Sequence, residues 1–179
     1  MEHKTQRLTL TSLMTALICI VAPISIPLPF SPVPASMTTF VIFLAVYILG
    51  TRQGTVSCVI YLMIGAIGLP VFSNFTGGVS KLFGPTGGYL FGYICMALIS
   101  GWFMKKGNYN KIFCLTGMSL GTAVCYLIGT LWLKYQMNAD IKTAFISGVA
   151  PFIIGDMFKM ILVVMIAPKI KKRVFNVLM

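Results

Sequence analysis

The chain has 179 residues, of which 58% are hydrophobic and only 9% are charged. A soluble domain carries about 25% charged residues, so this composition excludes a water-soluble fold and predicts an all-α integral membrane protein. The net charge of +11 would suggest nucleic acid as the partner of a soluble protein. Here the cations lie at the edges of apolar segments, where lipid headgroups and topology account for them. We expect the lipid bilayer as partner and no nucleic acid.

Six apolar stretches predict a single transmembrane domain built as a six-helix bundle. A helix needs about 20 apolar residues to cross the hydrocarbon core. The stretches that approach this length are 8–27, 35–50, 54–72, 86–104, 112–133 and 145–168. The first is longer than the apolar core of a cleavable signal peptide, about 7–15 residues, so we expect it to be retained.

A proline-rich segment follows the first span. Pro27, Pro29, Pro32 and Pro34 alternate with other residues. Proline lacks an N–H and moves the residue before it out of the helical region, so the segment predicts an extended, stiff loop. The loop is also apolar, and we expect it to pack against the protein as a cover.

A glycine-rich segment, residues 73–88, separates the third and fourth spans and mixes polar, aromatic and cationic groups. Glycine allows the backbone to bend sharply and to approach a ligand closely. Two of its residues, Asn74 and Lys81, are candidate ligand contacts; Lys81 is either a solvated lysine or the partner of an anionic ligand group. Tyr89 and Tyr93 follow, and their spacing of four residues puts them on one helix face, where they can line a pocket.

The distribution of cations predicts the orientation of the bundle. Lys and Arg collect in cytoplasmic loops. With six spans both termini share a side, and that side carries ten cations against three on the other, with Lys159 inside the last span. We therefore expect both termini in the cytoplasm and the proline and glycine-rich loops facing outward together.

Asp156 and Lys159 are the two charged residues inside the sixth apolar stretch. A charge at the centre of a bilayer costs about 2.5–3.5 kcal/mol on insertion scales, and such residues usually mark a substrate or ion path. Their i, i+3 spacing places both on one helix face. They form either a structural ion pair or a joint contact to a polar ligand.

The sequence lacks the residues that most catalytic and metal sites need. It has a single histidine, His3, three acidic residues, and five cysteines without a C-x-x-C pair. It also lacks a glycine-rich phosphate-binding loop followed by Lys-Ser or Lys-Thr. These absences argue against a metal site, nucleotide hydrolysis by this chain and a membrane enzyme. We expect no catalytic residue and no bound cofactor.

Two blocks of residues resemble the signature of a known family. The strings Gly68–Gly78 and Leu82–Leu90, together with the proline loop and Pro151–Lys159, are similar to BioY, the biotin-binding S-component of energy-coupling factor (ECF) vitamin transporters. The resemblance covers nearly the whole chain. The chain has Thr38 where the family often has glutamine.

The resemblance implies a six-helix bundle with an outward-facing substrate pocket. It also implies three partners for this chain, a transmembrane coupling subunit and two cytoplasmic ATPases that use ATP. The coupling subunit is docked in the family through an Ala-x-x-x-Ala pair on the first span, where this chain has Ser12 and Ala16.

The residues alone predict a site for a small polar or anionic solute, and the resemblance implies that this solute is biotin, captured with high affinity at the cell membrane and delivered to the cytoplasm. Asp156 would accept the ureido N–H groups, Lys159 would donate to a ligand oxygen, and Asn74 and Lys81 would meet the carboxylate. Lys159 could instead take the carboxylate. A stand-alone facilitator of biotin or another small anionic vitamin is the alternative function; a purely structural subunit is disfavoured by the Asp156–Lys159 pair.

Overall fold

The structure, a computed structural model, describes residues 2–178, with side chains described for residues 5–174. The chain is mostly helical, as its composition predicts. Its helices are α1 (Glu2–Val21), α2 (Thr38–Leu49), α3 (Thr51–Ala66), α4 (Val79–Leu82), α5 (Gly87–Lys106), α6 (Lys111–Met137), α7 (Ile141–Gly148) and α8 (Ile153–Leu178), and its strands are β1 (Ser25–Leu28) and β2 (Ser31–Ser36).

Two of these helices, α5 and α6, are each long and apolar enough to cross a membrane. Helices α7 and α8 taken together are also long and apolar enough to cross a membrane, with a bend of 44° at the break between them. Helix α2 and the part of α1 from Thr5 are apolar but shorter. The described part of the chain therefore contains two or three helices of spanning length, accompanied by shorter apolar ones.

The proline segment corrects the prediction of an all-α chain. It forms an antiparallel hairpin in which Ser25 pairs with Ser36 and Leu28 pairs with Ser31. The register is irregular between Ile26 and Leu28, around Pro27, which has no N–H to donate to the ladder. The segment is extended, as its prolines require, but it pairs with itself and does not form an irregular loop.

Three helix ends differ from the predicted span bounds, and a proline or a glycine lies close to each of them. Helix α1 ends at Val21, before Pro23, and does not reach residue 27; α2 begins at Thr38 because residues 35 and 36 still belong to β2. Helix α3 ends at Ala66, two residues before Gly68, whose φ of +111° no regular helix adopts.

The last predicted span is also divided. Residues 145–168 were expected to form one helix, but α7 ends at Gly148 and α8 begins at Ile153. Pro151 lies in the break, where it cannot donate a helical hydrogen bond. The break matters for the site, because it puts the start of α8, with Asp156 in its first turn, at the edge of a cavity.

Helix α2 is the centre of the bundle. Every residue from Val41 to Ile48 is buried, and α2 packs against α1, α3, α5 and α8. A helix that is apolar all round is stable when other elements surround it. The first turn of α2 therefore lies in the interior of the protein, among the other helices.

Helices α5 and α6 form the most extensive helix pair and approach closely through small residues. A Cβ atom added to Gly121 would lie 2.9 Å from the Met96 backbone oxygen, and one added to Gly92 would lie 2.8 Å from the Cys125 sulfur. Small residues of this kind let membrane helices pack backbone against backbone. This contact fixes the spacing between the two helices that carry most of the cavity wall.

The two ends of the bundle differ in their chemistry. At one end the Lys171 ammonium lies 3.4 Å from the centre of the Tyr109 ring and also faces Tyr47, which joins α8 to α2 and to the turn after α5. At the other end the hairpin contacts the glycine-rich segment and α7. The Asn74 N–H donates to the Pro23 carbonyl, and the Ser31 hydroxyl donates to the Ser147 carbonyl at 2.6 Å.

We expect Gly121→Ala to destabilise the protein by about 1–3 kcal/mol, because the added methyl group meets the backbone of α5. Gly155→Ala is the matched control, since nothing lies within 4 Å of a Cβ there, and it should leave stability unchanged or slightly raised. Unfolding in mixed detergent–SDS micelles measures both. Equal stability of the two variants would contradict the close α5–α6 contact.

Candidate functional site

A buried cavity lies beneath the hairpin. Its walls come from six elements and the break between α7 and α8. The lining residues are Val33, Pro34 and Ser36 of β2, Thr39 of α2, Tyr89, Tyr93 and Met96 of α5, Thr122, Cys125 and Tyr126 of α6, Gly148 of α7, Phe152 in the break, and Asp156 and Lys159 of α8. The wall is mostly apolar, with a few converging polar groups. That combination is typical of small-molecule sites.

Asp156 and Lys159 form an ion pair in this wall. The Lys159 ammonium lies 2.7 Å from Asp156 Oδ1, and the exposed fractions of the two side chains are 13% and 6%. The i, i+3 spacing in α8 brings them together, as the sequence predicts. The pair is neutral as a unit, which lowers the cost of placing either charge in an apolar bundle.

The ammonium group of Lys159 also holds the hairpin. It donates to the Ser36 carbonyl at 2.7 Å and approaches the Thr39 hydroxyl at 3.4 Å. A lysine has three N–H donors, so Asp156, Ser36 and Thr39 occupy all of them. The end of β2 is thereby fixed to α8 through a charged side chain.

Two residues that complete this network were not predicted from the sequence. The Tyr126 hydroxyl donates to Asp156 Oδ2 at 2.6 Å, and the Thr39 hydroxyl donates to Asp156 Oδ1 at 3.2 Å. Both are polar groups inside apolar stretches, which is the signal that could have identified them. The polar contact from α2 comes from Thr39, whereas its neighbour Thr38 hydrogen-bonds Ser36.

A second, smaller cavity adjoins the first and contains Lys81. Five of its lining residues are its own, namely Phe72, Ser73, Lys81, Thr86 and Leu90, and four also line the first cavity, namely Val33, Pro34, Tyr89 and Tyr93. The two tyrosines and the hairpin thus separate a pocket with an ion pair from a pocket with a single cation. Lys81 lies on one side of these four shared residues, and the Asp156–Lys159 pair lies on the other.

The two tyrosines differ in how their hydroxyl groups are used. Tyr89 donates to the Gly148 carbonyl at 2.9 Å, and its ring lies where a Cβ on Gly129 would be, 2.3 Å from the ring carbons. Tyr89 therefore supplies an apolar face. For the Tyr93 hydroxyl, the described residues provide no hydrogen-bond partner, so it is available to a molecule in the cavity.

Asn74 lies outside both cavities. Its side-chain oxygen accepts from the Ser25 hydroxyl at 2.8 Å, and its N–H donates to the same hydroxyl at 2.9 Å. The residue adopts the left-handed conformation, with φ of 61°, which asparagine tolerates better than most residues. In this structure Asn74 ties the glycine-rich segment to the hairpin and does not line the cavity.

Ser12 and Ala16 lie on the outward face of α1 and are exposed. The opposite face of α1 is bonded to α3: the Thr15 hydroxyl donates to the Ser57 carbonyl at 3.4 Å, and the Ser57 hydroxyl donates to the Thr11 carbonyl at 3.1 Å. The Ser12–Ala16 face therefore lies away from the contacts that α1 makes within the bundle, and neither residue lines the cavity.

The cavities are small in this structure. They measure about 40 Å³ and 20 Å³, whereas sites for drug-sized ligands enclose about 300–1,000 Å³. A ligand of that size enters only if part of the wall moves. The hairpin is held by a few hydrogen bonds, while the helices are close-packed, so the hairpin is the part that can yield.

Known proteins share this fold and sequence. The BioY family model matches residues 1–176. The biotin transporter BioY of Thermotoga maritima is 39% identical over 93% of this chain and 96% of its own length, and the probable biotin transporter BioY of Pyrococcus horikoshii is 37% identical over 94% and 98%.

Solved structures give the same result. A crystal structure of the S-component for biotin from an ECF-type ABC transporter superposes with a TM-score of 0.88 at 34% identity, covering 95% of this chain and 93% of that one. The S component of a bacterial ECF transporter shares the fold at 18% identity, with a TM-score of 0.64. The fold is thus that of S-components, a class of membrane transport proteins. Within that class, the chain belongs to the BioY family.

We expect Asp156→Leu to destabilise the ligand-free protein by about 3–5 kcal/mol, because it leaves the Lys159 cation buried without its partner. The double variant Asp156→Leu, Lys159→Met removes both charges and should recover most of that loss. Unfolding in mixed micelles measures both variants against the unsubstituted chain. A double variant as unstable as the single one would contradict the ion pair as the cause.

Proposed function

We propose that this chain captures biotin as the substrate-specific S-component of an ECF transporter and is not an enzyme. Its family membership and its close superposition on the S-component for biotin support this function. The observation that carries it is the buried Asp156–Lys159 pair in a cavity wall, with Thr39 and Tyr126 converging on the same carboxylate.

The polar and apolar groups around the two cavities suit the chemistry of biotin. The ligand has a ureido ring that donates and accepts hydrogen bonds, an apolar bicycle and a carboxylate tail. We propose that the ring lies beside Asp156 and Lys159, the apolar body lies across Tyr89 and Tyr93, and the carboxylate meets Lys81. A carboxylate offers about four lone-pair sites, and three contacts reach Asp156, so it can accept one ureido N–H without losing a partner.

The alternative assignment exchanges the two ends. Lys159 would then receive the ligand carboxylate and Lys81 the ring oxygen. Two observations favour the first assignment: the charge of Lys159 is already balanced by Asp156, and its three donors are already occupied. Lys81 has no ion-pair partner among the residues with described side chains, so it is the better partner for an anionic tail. In either assignment Asn74 acts by holding the hairpin.

We propose six membrane crossings, with the cavity open to the outside and both termini in the cytoplasm. The crossings are α1, α2, α3, α5, α6 and the bent α7–α8 pair. The hairpin and the glycine-rich segment lie at one end of the bundle, and the turn carrying Tyr109 and the Lys171 region of α8 lie at the other. The excess of cations in the second group supports a cytoplasmic location for that end.

Transport needs partners that this chain does not replace. We propose that a transmembrane coupling subunit and two cytoplasmic ATPases drive delivery, with ATP bound only by the ATPases. The absence of a phosphate-binding loop from the sequence supports this division. The exposed face of α1 with Ser12 and Ala16 is the proposed docking surface, because small residues allow close helix approach in lipid.

We expect Asp156→Asn to lower biotin affinity by at least tenfold while the fold survives, because the neutral amide offers fewer acceptor sites to the ligand and no charge to Lys159. Asp140→Asn is the matched control: Asp140 is exposed, its side chain makes no capping bond, and affinity should not change. Equilibrium dialysis with labelled biotin measures both variants. Unchanged biotin affinity in Asp156→Asn would contradict the assignment of Asp156 as a ligand contact.

We expect Ala16→Trp to abolish biotin uptake in cells while biotin binding by the purified chain is retained, because the bulky ring blocks docking on α1. Leu98→Trp, on the exposed face of α5, is the control and should transport normally. Uptake is compared in cells with and without the coupling subunit. Uptake that persists without that subunit would favour the stand-alone facilitator.

A further inference from the structure

Two buried hydroxyl groups in the cavity walls have no hydrogen-bond partner within the described part of the chain. They are Thr122 Oγ1 and Thr86 Oγ1; Thr122 is a lining residue of the larger cavity and Thr86 of the smaller one. The two residues are 5% and 9% exposed. A buried hydroxyl without a partner is costly, so each such group calls for an explanation.

Thr122 does not bond the usual partner of a helical threonine. Threonine hydroxyls in helices commonly bond a carbonyl one turn earlier. Thr11 and Thr15 do so in α1, at 2.8 Å and 2.9 Å, and Ser100 does so in α5 at 2.5 Å. Thr122 instead presents its hydroxyl without a protein partner, one turn before Tyr126 on the same face of α6, beside the Asp156 network.

Thr86 shows the same pattern at the start of α5. It occupies the position before the first helical residue, where a threonine side chain usually caps the helix by accepting a backbone N–H. Its side chain makes no such bond. It lines the smaller cavity together with Lys81 and Ser73, at the end where a carboxylate would lie.

We propose that Thr122 and Thr86 are specificity-determining ligand contacts, one at each end of the bound molecule. This inference rests on the proposed function and assigns two further side chains to that site. Thr122 hydrogen-bonds the ureido ring that Asp156 also contacts, and Thr86 donates to the carboxylate that Lys81 neutralises. The bound ligand thus provides the hydrogen-bond partners that these two hydroxyls lack in the ligand-free protein.

If the proposal holds, removing either hydroxyl lowers ligand affinity without lowering the stability of the ligand-free protein. Valine has nearly the shape of threonine but carries no hydroxyl, so replacing an unpartnered threonine removes a desolvated polar group and adds apolar contact. Thr122→Val and Thr86→Val should therefore leave the ligand-free protein as stable as before, or more stable, and should weaken ligand binding. A hydroxyl with a structural role would give the opposite result for stability.

The control is Thr55→Val. Thr55 Oγ1 is also buried and unpartnered among the described residues, but Thr55 lies in α3 and lines neither cavity. The same substitution there changes stability in the same direction and leaves ligand affinity unaltered. The comparison separates loss of a ligand contact from a general consequence of removing a buried hydroxyl.

The experiment titrates biotin and biotin amide, which lacks the tail charge, into the full-length purified chain and the variants, and also measures unfolding without ligand. Thr122→Val should weaken both ligands by a similar factor, about three- to tenfold, for a neutral hydrogen bond. Thr86→Val should weaken biotin by about tenfold or more and biotin amide by much less, because a bond to a charged group is stronger. Thr122→Ser should restore affinity.

Three outcomes would overturn the inference: biotin affinity unchanged in both valine variants, an equal loss in Thr55→Val, or marked destabilisation of the ligand-free valine variants. Failure of the proposed function looks different, since the unsubstituted chain would then not bind biotin at all. Binding of biotin by the unsubstituted chain with no effect at either threonine refutes only the assignment of these two hydroxyls.

Discussion

The ion pair between Asp156 and Lys159 constrains the rest of the site. Charges in an apolar bundle are tolerated when they are paired and when their remaining donors and acceptors are satisfied. Here that requirement is met by Thr39, Tyr126 and the Ser36 carbonyl. These groups come from α2, α6 and β2, so the pair fixes where the hairpin ends, where the central helix begins and which face of α6 turns inward.

Close packing supplies the other half of the arrangement. Helices α5 and α6 approach at Gly92 and Gly121, and Gly129 leaves the space that the Tyr89 ring fills. The Tyr89 hydroxyl then joins α5 to the end of α7. The helical walls are rigid for these reasons, while the covering hairpin is held mainly by individual hydrogen bonds. The cavity thus has close-packed helices around it and a hairpin, held by hydrogen bonds such as those from Lys159 and Ser31, as its cover.

The features that the sequence predicted correctly depend on local composition. The proportion of apolar residues predicted a mostly helical fold, and the i, i+3 spacing predicted the contact between Asp156 and Lys159. The hairpin and the division of the last helix could not be predicted from composition. A proline shows where regular helix ends, but it does not show whether the segment around it forms a loop, a strand pair or a break between two helices. Thr39 and Tyr126 were missed because their function depends on long-range contacts with α8. Asn74 was chosen for its polarity, and in the structure its side-chain oxygen accepts from the Ser25 hydroxyl of the hairpin.

The most direct test of the account is calorimetric titration of biotin into the purified full-length chain alone, with thiamine and riboflavin as comparison ligands. We predict one-site binding of biotin only, with a free energy of about −12 kcal/mol for nanomolar affinity, because the cavity and its charges belong to this chain. Absence of binding by a folded sample, or equal binding of the other two vitamins, would contradict it.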